Sequence, residues 1–246
     1  MRSLTTIGLA MMAVVWIASA SPGSRAADAD SPDGWISLFN GKDLAGWKIH
    51  PDPNKGSIKK VVPKESDGKV VGFDAETKDG KTVALWQVKD GLLVGGGPAS
   101  HIFSEKGDYE NFHYRVEAKI NDGGNSGQYF RTEFGPGFPR GYEAQINATH
   151  KDVVKTGSIY PNPGYGLKDF RDKICVLNTA PHKPDEFFVQ EVIANGPKIT
   201  ILVNGKQTVQ WTDPEHRFKQ GHFALQGHDP GSVMTFKRVE WKPLAK

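Results

Sequence analysis

Polar residues alternate with apolar ones along three segments in the second half of the chain, and they include side chains that can do chemistry. Successive side chains of a strand point to opposite faces, so each segment presents one polar row. The rows are Glu143, Gln145 and Asn147 in 141–147, Tyr129, Arg131 and Glu133 in 128–133, and His222, Gln226 and His228 in 222–228. If the three strands are neighbours, carboxylate, guanidinium, amide, phenol and imidazole groups form one patch.

This predicted patch has the composition of a sugar site. Amides and charged planar groups pair with hydroxyls, and an aromatic ring such as that of Tyr129 covers the apolar face of a sugar. The alternative is a face that water simply solvates, which is the default for an antiparallel strand. Solvated strands usually carry Lys, Thr and Ser, whereas these carry Glu, Gln, Arg, Tyr and His. Both interpretations remain open from the strands alone.

Two histidines lie beside carboxylates in the chain. His150 precedes Asp152, and His228 is followed directly by Asp229. Such pairs transfer protons or bind a divalent metal ion, which is the one cofactor that the sequence suggests. Their spacing lacks the regularity of a zinc site, and this favours histidines in ordinary loops.

The segments that carry these residues belong to a chain rich in strand and turn signals. Apolar runs with period-two alternation extend from residue 84 to the C-terminus, and Gly-containing doublets such as Asp90-Gly91 and Asn204-Gly205 separate them. No long stretch has helical spacing beyond the first thirty residues. About a dozen strands with frequent turns predict an all-β sandwich or jelly roll of two antiparallel sheets. The Pro- and Lys-rich region 50–82 is interpreted as a long excursion over the sandwich edge.

The N-terminus has the features of an export signal. Arg2 precedes a short apolar run at 7–17, and small residues follow it up to position 27. The run is shorter than a membrane-spanning helix requires. We predict a signal peptide at 1–27, a flexible leader at 28–33, one domain at 34–246, and a periplasmic or secreted protein that leaves the membrane after cleavage.

The net charge and the cysteine content bear on two questions: whether the protein binds nucleic acid and whether a disulfide stabilises it. Residues 1–27 contain two arginines and no acid, so their removal lowers the net charge from +3 to +1. A nearly neutral domain gives no reason to expect nucleic acid as a partner. The single Cys175 cannot form an internal disulfide. Stability must therefore come from the core.

Several motifs together resemble the 3-keto-disaccharide hydrolase domain family. In chain order they are Leu38-Phe-Asn-Gly-Lys-Asp-Leu-Ala-Gly-Trp47, Asp90-Gly-Leu-Leu-Val94, Gly124-Asn-Ser-Gly127 with Phe130-Arg131, Gly141-Tyr-Glu-Ala-Gln145, Thr156-Gly157 with Tyr160, Val203-Asn-Gly205, and Leu225-Gln226 with His228. The resemblance runs from about residue 34 to the C-terminus. It implies a concanavalin A-like or laminin-G-like jelly roll in an exported bacterial protein.

The resemblance also implies a reaction on sugars already oxidised to a ketone at C3. Such a ketone acidifies the proton at C2, so a base can remove it and expel the group at C1; water then adds back. We predict Glu143 as the base, Arg131 as the partner of the enolate oxygen, and His228 as a second acid or base. Tyr129, Gln145, Asn147, Tyr160 and Gln226 are predicted to bind the sugar, and His150, Asp152 and Asp229 are the candidate metal ligands. Many similar sequences have Asp where Asn147 stands.

Three other functions fit parts of the pattern. A non-catalytic carbohydrate-binding module on the same fold would use the same polar strands. A laminarinase-like glycosidase needs two carboxylates beside the scissile bond, and the segment 143–148 lacks the partner acids of that strand. An adhesion or scaffolding domain is favoured only if the polar face is convex and fully solvated.

Overall fold

The computed structural model describes residues 33–51 and 57–244, and in these residues nearly all regular structure is β-strand. One short helix, α1 (Arg171–Ile174), and two 3₁₀ turns (Pro163–Tyr165 and Lys168–Phe170) are the exceptions within that part. The strands are β1 (Ile36–Ser37), β2 (Trp47–Ile49), β3 (Ile58–Ser66), β4 (Lys69–Thr77), β5 (Thr82–Lys89), β6 (Leu92–Gly95), β7 (Ser100–Ser104), β8 (Phe112–Ile120), β9 (Ser126–Thr132), β10 (Tyr142–Ile146), β11 (Phe188–Asn195), β12 (Lys198–Val203), β13 (Lys206–Thr212), β14 (His222–Gly227) and β15 (Met234–Pro243).

The strands form two antiparallel sheets. The large sheet has the order β13-β12-β11-β8-β15-β6-β5-β4-β3, with β1 paired to β15. The small sheet has the order β10-β9-β14-β7-β2. The inner faces of the two sheets pack together over one hydrophobic core. The predicted all-β, concanavalin A-like jelly roll is therefore confirmed.

Alternation along the strands determines which side chains enter this core. In β8 the residues Phe112, Tyr114, Val116, Ala118 and Ile120 are all buried, and the residues between them are partly exposed. The chain reverses direction in tight turns at the two Gly-containing doublets that predicted them. Asp90-Gly91 and Asn204-Gly205 both have positive φ at the two positions, as a two-residue hairpin turn requires. The sequence pattern and the fold agree here.

The region at 58–77 forms more regular structure than the sequence suggested. Instead of a long excursion it contains β3 and β4, two nine-residue strands at one edge of the large sheet. β3 is the edge strand, and it contains Pro63 and the exposed Lys59, Lys60 and Lys64. Charge and proline on an edge strand discourage pairing with another chain, and the same residues concealed the strand from pattern analysis.

The N-terminal predictions lie largely outside the described residues. The signal peptide at 1–27 and all of the leader at 28–33 except Asp33 belong to the part that is not described, so export and a periplasmic or secreted location stay predictions. Among the described helices, none has the length and apolar character to cross a membrane.

Candidate functional site

A cavity of about 150 Å³ opens on the outer face of the small sheet. Its lining includes six of the eight residues predicted to act in catalysis or sugar binding: Tyr129, Glu143, Gln145, Tyr160, Gln226 and His228. Three strands supply most of them, because β10, β9 and β14 are neighbours in the sheet. The volume is below the roughly 300–1,000 Å³ of pockets for drug-sized ligands, so the cavity suits one small polar ring.

Strand β10 places its polar residues on the cavity side. Tyr142, Ala144 and Ile146 are fully buried in the core between the sheets. Glu143 and Gln145, which alternate with them, line the cavity on the opposite face. The period of two in the sequence thus accounts for the position of the carboxylate.

Gly127 forms the floor beneath the Glu143 side chain. It lies opposite Gln145 in the β9–β10 pairing and next to Glu143 on the same face. A Cβ atom at position 127 would lie 2.3 Å from Oε1 of Glu143 and 2.8 Å from its Cδ. Only glycine therefore leaves room for the carboxylate to lie across β9.

The Glu143 carboxyl is buried, and burial raises its pKa to about 8 because a charged carboxylate is poorly solvated there. The Tyr129 hydroxyl opposes this shift by donating a hydrogen bond to Oε2 of Glu143 at 2.7 Å, and the charge of Asp152 adds to it. Gln226 Nε2 in turn donates to the Tyr129 hydroxyl at 3.2 Å. A chain of hydrogen bonds therefore runs from Gln226 through Tyr129 to the Glu143 carboxyl, whose pKa lies near physiological pH.

Two amides at the cavity wall carry acceptors that have no partner among the described residues. They are the buried Oε1 atoms of Gln145 and Gln226. The Nε2 of Gln145 is fixed by donating to Asn125 Oδ1 at 2.8 Å. Buried polar atoms are nearly always paired, and hydroxyl groups of a ligand are suitable donors for these two oxygens.

The opposite wall comes from loop segments beside β10. The backbone at 158–160 pairs with the free edge of β10, since Gln145 N–H donates to Ser158 O and Tyr160 N–H to Glu143 O. This pairing brings Tyr160 to the cavity, where its hydroxyl donates to Asp152 Oδ2 at 3.2 Å. Burial, with Asp152 nearby, raises the pKa of Tyr160 to about 12, so its phenol remains a donor. Asp152 gives the cavity a second carboxylate.

Arg131 does not line the cavity, and the prediction that it shares a face with Tyr129 is wrong. Tyr129 pairs with Ala224 and Thr132 with His222, so two residues of β9 lie opposite Phe223. This β-bulge, with φ of 51° at Arg131, breaks the alternation.

The Arg131 side chain instead holds the end of the sandwich together. It is 1% exposed, and its guanidinium donates to the carbonyl oxygens of Glu110, Gly196 and Phe218 at 2.7–3.2 Å. The Glu110 and Phe218 carbonyls lie in loops that join the two sheets, and the Gly196 carbonyl lies in the β11–β12 turn of the large sheet. The position indicates a structural role and not contact with an enolate oxygen.

Asn147 is also absent from the cavity lining. Its Nδ2 donates to the carbonyls of Asp152 and Val154 at 2.9 and 2.8 Å, and its backbone N–H donates to Thr156 Oγ1. The strand β10 ends at Ile146, so alternation no longer determines the direction of the next side chain. Asn147 holds the loop that carries Asp152 and affects the cavity through it.

His228 and Asp229 form a hydrogen-bonded pair at the cavity rim. His228 Nδ1 lies 2.6 Å from Asp229 Oδ2, an arrangement in which Nδ1–H donates and Nε2 keeps its lone pair. Asp229 is held by the Ser232 hydroxyl and the Gly231 N–H. His228 itself lines the cavity, and its hydrogen bond to Asp229 fixes the orientation of the ring.

The predicted metal ligands were His150, Asp152 and Asp229; the structure groups His150 and Asp229 with His228 instead of Asp152. Donor atoms of His150, His228 and Asp229 lie within 4.8 Å of one another. However, the backbone N–H of Asp152 donates to His150 Nδ1 at 3.1 Å, so a neutral His150 carries its proton on Nε2 and has no free lone pair there. Both Asp229 oxygens already accept hydrogen bonds. The hydrogen bonds of His228 and Asp229 suit a proton-handling pair, and the metal site stays a prediction.

Several residues of the site were missed by the sequence interpretation. Asn125, Asn162 and Phe138 line the cavity from loops, where no periodicity indicates direction. His101 lies on β7 opposite Gln226 and packs edge-on against Tyr129. Burial lowers its pKa to about 3, so His101 is neutral. The alternation of β7 would have placed it, had the strand been recognised.

The fold and the cavity define a class of protein: a jelly roll with a candidate ligand site on the outer face of one sheet. A family model described as 3-keto-alpha-glucoside-1,2-lyase-like domain matches residues 34–242. The chain therefore belongs to this family, and the predicted resemblance is confirmed. No curated protein matches the chain.

Solved structures share the fold at low sequence identity. A candidate glycosyl hydrolase from Parabacteroides distasonis has a TM-score of 0.60 at 21% identity, over 87% of this chain and 95% of that chain. A second one from the same organism has a TM-score of 0.58 at 19% identity, over 85% and 99%. A structure from work on endo-acting O-glycanases of the human gut microbiota has a TM-score of 0.52 at 14% identity, over 85% and 95%. At these identities the likeness concerns the fold alone.

Proposed function

We propose that this protein cleaves glycosides already oxidised to a ketone at C3, by removing the C2 proton and eliminating the group at C1. The observation that carries the proposal is the buried Glu143 carboxyl, in a cavity of single-ring size on a domain of the lyase-like family. A buried carboxylate is a strong base, and a pKa near the working pH is what proton abstraction requires.

In the proposed reaction, the carboxylate of Glu143 takes the C2 proton and becomes a neutral acid. The electron pair of the C–H bond first moves into an enolate with its negative charge on the C3 oxygen. It then forms the C1–C2 double bond as the bond between C1 and the glycosidic oxygen breaks, and the oxygen keeps the electrons of that bond. Glu143 is neutral after this step, and its low-polarity surroundings stabilise the neutral form. Water added later across the double bond converts elimination into net hydrolysis.

The leaving oxygen needs a proton, and in the proposal His228 supplies it. Asp229 accepts the Nδ1–H, so the protonated ring presents its second N–H from Nε2 at the cavity rim. Donation from Nε2 to the glycosidic oxygen leaves the neutral tautomer that Asp229 already stabilises. Asp229 is a positioning residue in this scheme.

The negative charge that develops on the C3 oxygen needs hydrogen-bond donors. With Arg131 buried elsewhere, the amides of Gln145 and Gln226 take this role in the proposal. Each NH₂ group has a second hydrogen beyond the one in its hydrogen bond to Asn125 or Tyr129. Donors aimed at developing charge in a site with little water are among the strongest contributions to catalysis.

A second candidate function is ordinary two-carboxylate glycoside hydrolysis. The observation in its favour is Asp152, which lines the same cavity as Glu143 and supplies a second acid. Such an enzyme cleaves unoxidised sugars, since its chemistry needs no ketone. A binding module would bind either sugar and cleave neither.

Turnover of an aryl 3-keto-glucoside beside its unoxidised parent separates these functions. We expect the wild type to cleave the keto compound alone, with and without EDTA. Glu143→Gln should abolish cleavage, whereas Glu133→Gln, which changes an exposed carboxylate in the β9–β10 loop, should not. Cleavage of the parent would favour the two-carboxylate hydrolase, and full activity of Glu143→Gln would refute the assignment of the base.

A further inference from the structure

Three buried polar atoms lie in one row across the outer face of the small sheet, and none has a partner among the described residues. They are Oε1 of Gln145 on β10, Oε1 of Gln226 on β14 and Nε2 of His101 on β7. Gln145 lies opposite Gly127 in the strand pairing, and Gln226 lies opposite His101. One residue beyond the last β9–β14 pair, Gln226 lies beside Gly127, which completes the row. The function proposed above uses the two amides and leaves the imidazole without a role.

His101 lies directly behind the lining of the cavity. Its ring packs edge-on against Tyr129, with 5.1 Å between ring centres, and against Phe138, with 5.8 Å. Both of these residues, like Gln226, line the cavity. His101 is only 4% exposed, so its imidazole depends on neighbouring groups for hydrogen bonds. A buried polar atom without a partner is costly to the fold, and a ligand that supplies the partner explains why it is kept.

Phe138 is the part of this lining that can move. It lies in the β9–β10 loop, it is 55% exposed, and its ring centre is 6.2 Å from that of His228. A Cβ added at Gly135 or Gly137 would have no described atom within 4 Å apart from its chain neighbours, so the loop around Phe138 is loosely packed. A turn of the Phe138 ring, which moves no strand, extends the cavity toward His101.

A hydroxyl group is the ligand group that suits both His101 and Gln226. Burial lowers the pKa of His101 to about 3, so the ring is neutral and one of its nitrogens carries a proton. Oε1 of Gln226 can only accept. Residues opposite each other in antiparallel strands have Cβ atoms about 5 Å apart. One hydroxyl can therefore donate to the amide oxygen and accept a hydrogen bond from Nε2–H of the imidazole.

We propose that His101 binds the C4 hydroxyl of the oxidised sugar and makes the enzyme specific for substrates that carry it. The inference rests on the proposed function, in which Glu143 takes the proton from C2 and the two amides hold the C3 oxygen. C2 and C4 are the ring atoms on either side of C3. Glu143 Oε1 lies against position 127, on one side of Gln226, and His101 lies on the other side. With C2 at Glu143, C4 therefore points toward His101.

The test compares an aryl 3-keto-glucoside with its 4-deoxy analogue, which lacks only that hydroxyl. We expect the wild-type kcat/KM to be about 10- to 100-fold lower for the analogue, because the buried imidazole and amide oxygen then have no partner. His101→Phe keeps an aromatic ring without nitrogen atoms, and it should cleave the two compounds with equal efficiency. His101→Leu removes the same nitrogen atoms with a smaller side chain and should give the same result.

Phe103→Leu is the matched control. Phe103 lies on β7 two residues after His101, and the two ring centres are 6.2 Å apart. The substitution disturbs the same packing but removes no polar atom. We expect Phe103→Leu to keep the wild-type preference for the hydroxylated compound.

Three results overturn this inference and leave the lyase reaction standing. The first is equal kcat/KM values of the wild type for the two compounds, which would mean that water satisfies the imidazole. The second is an undiminished preference for the hydroxyl in His101→Phe and His101→Leu. The third is a loss of preference in Phe103→Leu as large as in His101→Phe, which would assign the effect to packing.

If the wild type cleaves neither ketone, the proposed function fails, and calorimetric Kd values for the two compounds decide on His101. Weaker binding of the 4-deoxy analogue by the wild type, with equal binding of both compounds by His101→Phe, supports the contact. Equal binding of the two compounds by the wild type, or binding of neither, overturns it.

Discussion

Replacing Gly127 with alanine tests whether the position of Glu143 determines activity. The added Cβ would lie 2.3 Å from Glu143 Oε1, whereas ordinary contacts begin at 3.4 Å. The carboxylate must therefore move by about 1 Å. That displacement also lengthens the 2.7 Å hydrogen bond from the Tyr129 hydroxyl. A misplacement of this size in a catalytic group costs about 100-fold in rate.

We expect Gly127→Ala to lower kcat on a 3-keto-glucoside about 100-fold, measured by steady-state kinetics. Thermal unfolding followed by circular dichroism should show a smaller loss, because overpacking by one methyl group costs about 1–3 kcal/mol. Gly135→Ala is the matched control: a Cβ there has no described atom within 4 Å, and neither glycine has positive φ. Wild-type kcat in Gly127→Ala would refute the reasoning, since the carboxylate would then have moved without consequence.

Two further predictions concern the buried charges. Because the pKa of Glu143 is raised to about 8 from 4.5, the folded protein binds the proton more tightly than the unfolded chain; stability is therefore lost as pH rises from 4.5 to 8. Urea unfolding gives the free energy of unfolding of the wild type and of Glu143→Gln. Between pH 4.5 and pH 8, the value for Glu143→Gln should rise relative to the wild type by about 3–5 kcal/mol. A difference between the two proteins that stays constant with pH would contradict the raised pKa. Arg131→Met should leave kcat unchanged but destabilise the fold by about 3 kcal/mol, because three carbonyls lose their donor. If Arg131→Met kept its thermal stability but lost activity, Arg131 would have a catalytic role instead of a structural one.

The strand pattern predicted a large part of the fold and of the site. Alternation in β10 separates Glu143 and Gln145 from the core residues, and alternation in β14 does the same for Gln226. The Asp90-Gly91 turn was predicted from residue type, because few residues tolerate positive φ at both positions. These features are local, so neighbouring residues in the chain suffice to determine them.

Contacts between distant segments decided the rest. One additional residue in β9 directs the Arg131 side chain away from the cavity and toward the end of the sandwich. The carbonyl oxygens that it contacts there belong to residues 110, 196 and 218, which are distant in the sequence. Asp152 reaches the cavity on a loop held by Asn147, and no period governs a loop. The raised pKa of Glu143 depends on burial beneath neighbouring strands and loops. The sequence by itself determined which face each regular strand turns outward, because that depends on a two-residue repeat. Only the tertiary structure decided which of those groups meet, because burial and approach depend on how the whole chain packs.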